Sequence, residues 1–461
     1  MSLLWTSDEI AAATGGTASA PFEVTGVTFD SREVGPGDLF VAMPGTAYDG
    51  HLFVDAAFEA GAAGAIVSQP VKGSHVLVED TFAALRALGR ASRERTKATI
   101  VGVTGSVGKT STKEALFAAL DRNRPGKVHR SVKSYNNHTG VPLSLARMPP
   151  DAVYAVLEMG MSNKGEIAAL TRQVRPHVAV VTAIAPAHIE NLGSEEAITD
   201  AKGEIFEGLE SGGVAIIPND TPHRDRLLKA ARRYADRIIT FGGGDADVHA
   251  VHAVTAEGGG SLISAALLER ELTFTISQRG DHWVFNSLAV LAAIEALGED
   301  VGLAGLALAD LGGLKGRGER HLIAVEGGEV LLIDESYNAN PASMAATLKS
   351  LGAERDVARR IAVLGPMREL GEHSAELHAG LARCVHDAHV DQLILIGDEM
   401  RPLAEKVVGH IALDLATSVD EATELLRRTV RPGDAVLVKA SNSVGLAKLV
   451  ESMAKELACS T

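Results

Sequence analysis

Gly102-Val103-Thr104-Gly105-Ser106-Val107-Gly108-Lys109-Thr110 is the stretch on which the reading of this chain turns. It follows the apolar run Thr99-Ile100-Val101 and leads into a helix-compatible segment, the strand-to-helix setting of a phosphate-binding loop. Glycines let the backbone approach phosphate oxygens, and successive N–H groups at a helix start attract negative charge. Gly105, Ser106, Gly108, Lys109, Thr110 and Ser111 are therefore the expected nucleotide contacts, with Lys109 reaching the β- and γ-phosphates and Thr110 offering a hydroxyl to Mg²⁺. The strict pattern has glycine where Val103 stands; here it comes one residue earlier and Gly105 is added, so the loop is a variant. The bland alternative is an empty glycine turn between a strand and a helix.

Outward from the loop, β-branched runs at 99–103, 153–157, 178–181, 214–217 and 238–241 alternate with helical patterns. Such alternation predicts a mostly parallel sheet with helices on both faces. Residues 247–278 interrupt it with strand-like pieces around Gly258-Gly259-Gly260, before a helix over 282–297. After Gly312-Gly313-Leu314-Lys315-Gly316-Arg317-Gly318 a second βα series starts at 330–333 and continues at 361–364, 393–396 and 435–438, which reads as a Rossmann-like unit. Residues 1–97 mix short apolar segments with turns such as Gly35-Pro36-Gly37-Asp38 and end in a charged, helix-prone stretch over 86–97. The expected fold is α/β in three domains: 1–97 small α/β, 98–316 the central phosphate-loop domain, 317–461 Rossmann-like, with a hinge near 314–318.

A chain of 461 residues suits about three cores. Lys+Arg 44 against Asp+Glu 59 leaves a net charge of −15, which disfavours nucleic acid and anionic lipid while permitting local basic pockets for phosphate. Cys384 and Cys459 are too few for a disulfide framework and lack metal-ligand spacing, so they read as buried or tail thiols in a reducing compartment. The N-terminus has no basic leader, and no apolar run approaches the roughly 20 residues of a membrane span, so a cytoplasmic protein is expected. The acidic balance and absence of heptads suit a monomer.

Three residues beyond the loop bear on chemistry. Glu158 closes the predicted strand at 153–157, where open α/β sheets bind ligands, and reads either as an Mg²⁺ ligand or as a solvated or capping carboxylate. His188, in Ala185-Pro186-Ala187-His188, follows the next strand and is either structural or a contact to metal or phosphate. Lys202, in Ala201-Lys202-Gly203-Glu204-Ile205-Phe206, reads by itself as an ordinary solvated helix lysine.

Thr104-Gly105-x-x-Gly108-Lys109-Thr110, Tyr135-Asn136-Asn137-x-x-Gly140-Val141-Pro142, Glu158-Met159-Gly160, Ala187-His188-Ile189-Glu190, the Lys202 segment and Asp334-Glu335-Ser336-Tyr337-Asn338-Ala339-Asn340-Pro341 occur in an order that resembles the Mur ligases. With Asp30-Ser31-Arg32 and Asp49-Gly50-His51 they span nearly the whole chain. The resemblance implies ATP-dependent amide formation between UDP-N-acetylmuramoyl-tripeptide and D-alanyl-D-alanine, in the synthesis of a peptidoglycan precursor. It implies two Mg²⁺ sites drawing on Thr110, Glu158, His188 and a carbamylated Lys202, with Lys109, Glu158, His188 and Lys202 as the catalytic set. It also implies nucleotide contacts from Asn286, Arg317, Asp334, Tyr337 and Asn338, and substrate contacts from Ser31, Arg32, Asn136, Asn137, Lys439 and Ser441. Taken without it, Arg317 is a linker charge and Tyr337 a core aromatic. The sequence departs from the family at His282-Trp283-Val284-Phe285-Asn286, Gly365-Pro366-Met367 and Lys439-Ala440-Ser441-Asn442. The Asp-Asn-Pro-Arg string typical of diaminopimelate-adding members is absent.

Overall fold

The computed structural model describes residues 3–45, 48–256 and 259–455; Gly258 of the glycine triplet and Cys459 lie outside them. Strands Tyr154–Glu158, Val178–Val181 and Val214–Pro218 are buried along their whole length, the signature of a parallel sheet covered on both faces. They belong to a nine-stranded sheet whose order is Arg270–Ile276, Ser261–Leu267, Val248–Thr255, Arg237–Gly242, Val214–Pro218, Val178–Val181, Thr99–Thr104, Tyr154–Glu158, Val128–Arg130. The strands are parallel except where Ser261–Leu267 pairs antiparallel with each of its two neighbours. Two hydrophobic clusters cover the faces. Helices Lys109–Asn123 and Asp281–Leu297 supply Leu116, Leu120, Leu288 and Ile294 to one, while Glu166–Val174, Glu195–Gly203 and Arg224–Ala231 supply Leu170, Ile198 and Leu227 to the other.

The C-terminal sheet has six strands in the order Glu319–Val325, Gly328–Glu335, Ala435–Lys439, Arg360–Leu364, Gln392–Ile396, Ala412–Ala416, all parallel but for the opening hairpin. Leu348, Leu381 and Leu403 pack on one face, and Leu426, Leu449 and Val450 on the other. The N-terminal unit holds a five-stranded sheet and the helix Thr81–Arg95, which packs on Gly140–Ala146 of the central unit. That approach is close: a Cβ at Gly89 would sit 2.8 Å from the Pro142 carbonyl oxygen, and Trp5 Nε1 donates to the Ala146 carbonyl at 2.8 Å.

Register then positions chemistry. Glu158 pairs opposite Val103 and Val181 opposite Thr104, so three strands end side by side at the phosphate loop. Such carboxyl-end crevices are where open α/β sheets hold ligands. The linker is a tight turn: Arg317 N–H donates to the Leu314 carbonyl at 2.7 Å, and Gly316 N–H to Asp334 Oδ2 at 3.0 Å.

Candidate active site

Strand Thr99–Thr104 delivers the loop and helix Lys109–Asn123 receives it, with Gly108 in the left-handed region at φ 85°. Two glycines are required sterically. A Cβ at Gly105 would lie 2.0 Å from Thr182 Oγ1, and one at Gly108 would lie 2.8 Å from Asn286 Oδ1. Lys109 Nζ donates to the Gly105 carbonyl at 2.8 Å, folding back over the loop, and burial lowers its pKa. Thr110 Oγ1 donates to Glu158 Oε2 at 2.9 Å, and Asn136 Nδ2 to Glu158 Oε1 at 2.7 Å. Glu158 itself is 1% exposed. A buried carboxylate beside a hydroxyl presents hard oxygen donors of the kind Mg²⁺ takes.

Across a cavity of about 490 Å³ stands the C-terminal unit, with Arg317 stacked on the Tyr337 ring at 4.3 Å and Asn338 beside it. Ser134 joins the two sides, lying 3.1 Å from Thr110 Oγ1 and accepting from Arg317 Nη2 at 3.4 Å. Lys439 Nζ donates to the Asn338 carbonyl at 2.9 Å and lies 3.4 Å from Glu335 Oε2, and burial lowers its pKa.

Most of the residues expected from the sequence converge on this cavity: Ser106, Gly108, Lys109, Thr110, Ser111, Asn136, Asn137, Glu158, His188, Asn286, Arg317, Tyr337, Asn338 and Lys439 all line it. Others stand apart from that lining. Gly105 sets its backbone against Thr182 instead. Asp334 is 2% exposed and spends its carboxylate on the N–H groups of Gly316 and Ser336. Ser441 accepts from the Arg368 N–H at 2.9 Å. Ser31 and Arg32 sit on a short helical turn of the N-terminal unit, where Arg32 pairs with Asp30 at 2.6 Å. Asn137, within the lining, also accepts the N–H of Gly140 at 2.9 Å, at the start of the helix Gly140–Ala146.

Lys202 departs from the reading of its own segment as a solvated lysine. It is 0% exposed, and its Nζ has no hydrogen-bond partner among the described residues. Burial, then the charge of Lys109, lowers its pKa well below the ordinary value. Glu204, two residues on, accepts from the N–H groups of Gly165 and Ala168. His188 adopts φ 61° and donates from Nδ1 to a Glu369 carboxylate oxygen, and that bond lowers the Glu369 pKa. Ser134, Glu335 and Glu369 escaped the sequence reading. Ser134 adjoins Tyr135-Asn136-Asn137 and Glu335 lies inside a quoted motif, whereas Glu369 had only its nearness to Gly365-Pro366-Met367.

A phosphate loop facing a second nucleotide-like wall across one cleft, on three α/β units, defines a phosphate-loop enzyme that works between domains. Residues 23–101, 103–294 and 316–442 match, in turn, the catalytic domain of the Mur ligase family, the Mur ligase middle domain and the Mur ligase glutamate ligase domain, and the chain belongs to the Mur ligase family. It is 34% identical to a UDP-N-acetylmuramoyl-tripeptide–D-alanyl-D-alanine ligase of Bacillus subtilis, over 95% of this chain and 96% of that one. It resembles the crystal structure of MurF from Acinetobacter baumannii with a TM-score of 0.84, 29% identity and 99% of both chains covered. MurF ligase from Thermotoga maritima in complex with ADP matches with a TM-score of 0.77 and 30% identity, covering 95% of this chain and 99% of that one.

Proposed function

We propose that this chain is the ligase that joins D-alanyl-D-alanine to UDP-N-acetylmuramoyl-tripeptide at the expense of ATP, forming the pentapeptide precursor of peptidoglycan. The observation that carries the reading is the single cleft in which the phosphate loop, Thr110 and Glu158 face Arg317 and Tyr337. Relatives of matching length that bear this activity supply the substrates. A carboxylate is a poor electrophile, so the acceptor is activated first: its oxygen bonds to the γ-phosphorus and the bond to ADP breaks. The dipeptide amine then attacks the acyl carbon, inorganic phosphate leaves and the amine loses a proton. Lys109 and Arg317 are the cations of this chain positioned to stabilise charge on the transferred phosphoryl group.

The residues fit two divalent ions. Thr110 and Glu158 offer oxygens to one. His188 and Lys202 serve the other once Lys202 is carbamylated, a conversion in which the neutral amine bonds to the carbon of CO₂ and releases a proton. An unpartnered amine whose neutral form burial favours suits that reaction. Two ions held by these residues would neutralise phosphate and acceptor carboxylate together. Ser31 and Arg32 take the uridine diphosphate end, and Asn136, Asn137, Lys439 and Ser441 the peptide portions. The nucleotide is completed by Asn286, Asp334 and Asn338. We assign the domains as 1–97, 98–316 and 317–461, closing about 314–318, and the protein as a cytoplasmic monomer; no helix among the described residues is long and apolar enough to cross a membrane.

The test is ADP and phosphate release with ATP, Mg²⁺ and UDP-N-acetylmuramoyl-tripeptide, with and without D-alanyl-D-alanine, together with the product mass. Sustained release and a pentapeptide mass only when the dipeptide is added are expected. Turnover with a UDP-muramoyl-dipeptide and a diamino acid instead reassigns the chain to the preceding ligation step, and acceptor-independent hydrolysis makes it a switch ATPase.

A further inference from the structure

The loop 365–369 of the C-terminal unit reaches across to the central unit and ends on His188. Two independent clamps hold it. His378 is 0% exposed; its Nε2 accepts from the Met367 N–H at 2.9 Å, while Nδ1 donates to the Ser374 carbonyl at 2.7 Å. One residue further, Ser441 Oγ accepts from the Arg368 N–H. The backbone that bears Glu369 is thus fixed from the helix Ser374–Asp387 and from the segment after the strand Ala435–Lys439.

Beyond the clamps the chain turns through Glu369 at φ 63° and meets His188 at φ 61°, so two non-glycine residues in the left-handed region face each other across the domain boundary. Such conformations are costly for side-chain-bearing residues and cluster where geometry serves a function. The contact is more than one side chain deep. The Glu190 N–H donates to the Glu369 carbonyl at 3.3 Å, and a Cβ at Gly371 would lie 3.1 Å from Glu190 Cγ. With Nδ1 engaged by Glu369, Nε2 is the ring nitrogen left for the cavity that His188 lines. Carboxylates that take the far N–H of a metal-binding imidazole fix its tautomer and ring orientation.

We propose that Glu369 is a positioning residue, supplied by the C-terminal domain, that orients the His188 imidazole toward a divalent cation, so that cation binding and docking of the C-terminal domain reinforce each other. The inference rests on the reading of His188 as a metal ligand. It makes linkage reciprocal: whatever brings loop 365–369 onto His188 raises cation affinity, and the cation raises the population of the docked state by the same factor. It also gives Ser441 a role in holding the loop, beside the substrate contact proposed for it.

The test is Mn²⁺ binding to the intact chain in the presence of ADP, followed by electron paramagnetic resonance, with ¹⁵N spectra of the histidine rings recorded alongside. His188→Ala is expected to remove one Mn²⁺ site. Glu369→Ala is expected to weaken that same site about 10- to 100-fold and to erase the fixed Nδ1–H tautomer of His188. Glu369→Gln, whose side-chain carbonyl still accepts from Nδ1, is expected to restore both. Unchanged Mn²⁺ affinity and tautomer in Glu369→Ala, with the site still lost in His188→Ala, overturns the proposal while leaving His188 as a ligand. Full Mn²⁺ binding by His188→Ala overturns it together with the reading beneath it.

Discussion

Lys113 and Lys202 are both 0% exposed in the central domain, yet their surroundings are opposite. Lys113, on the helix that follows the phosphate loop, donates to the carbonyls of Ser131 at 3.0 Å and Lys133 at 2.5 Å, with Glu114 2.9 Å away. Its ammonium is fully satisfied, and it tethers the stretch that leads into Ser134 and Asn136. Lys202, in the last turn of the helix Glu195–Gly203, has no such partner among the described residues. Burying an unpaired ammonium costs several kcal/mol, so burial favours the neutral amine. The two lysines differ in partners and not in burial: the Lys113 amine is satisfied, whereas the Lys202 amine has no hydrogen bond among the described residues.

Removing each amine in turn separates the two lysines. Lys202→Ala is expected to cut turnover by about 10³-fold, the rate equivalent of several kcal/mol of lost charge stabilisation, while the thermal midpoint falls only by the cost of the cavity its buried methylenes leave. Near-normal turnover would remove Lys202 from the chemistry. Lys113→Met should do the reverse: stability measured by urea unfolding falls by about 2–4 kcal/mol as two carbonyls lose their donor, and turnover changes far less than in Lys202→Ala. A catalytic collapse in Lys113→Met with full stability would erase the distinction.

Between these lies Gly105→Ala, where a methyl group collides with Thr182 at a backbone φ of 150°. The expected outcome is a loss of about 1–3 kcal/mol in stability together with a raised KM for ATP, read from melting and initial rates. The smallest effect concerns a half-buried imidazole, His129. His129 Nε2 donates to the Ser144 carbonyl at 2.7 Å, and burial holds its pKa down to about 4 from 6.5. Its folded pKa lies below its unfolded one, so its contribution to stability is complete above pH 6.5 and is lost as the pH falls from there toward about 4. His129→Gln should flatten that part of the acid-unfolding profile, and an unaltered slope would deny His129 the role.

What the sequence made legible follows from how local each signal is. The phosphate loop is contiguous and its glycines are needed where they stand, so Lys109, Thr110 and their neighbours were readable directly. The fully buried strands were readable as β-branched runs. Val128–Arg130 escaped because a Val-His-Arg triplet carries no apolar pattern, and Glu319–Val325 because its charged start hides a period-two alternation. The helix at the end of the first domain begins at Thr81, before its charged half, because Asp80 caps the N–H groups of Phe82 and Ala83. Lys202 was readable only through resemblance, since nothing in Ala-Lys-Gly-Glu announces that the side chain turns inward. Glu369 meets His188 across a domain boundary and His378 holds the loop from within its own unit, and contacts of this kind leave no periodic trace.

The measurement that bears most directly on the contrast between the two lysines is ¹³C NMR of the protein equilibrated with ¹³C-bicarbonate. One carbamate carbon is expected in the parent chain, retained in Lys113→Met and absent from Lys202→Ala. A parent chain without a carbamate signal, or a signal that survives in Lys202→Ala, would contradict that expectation.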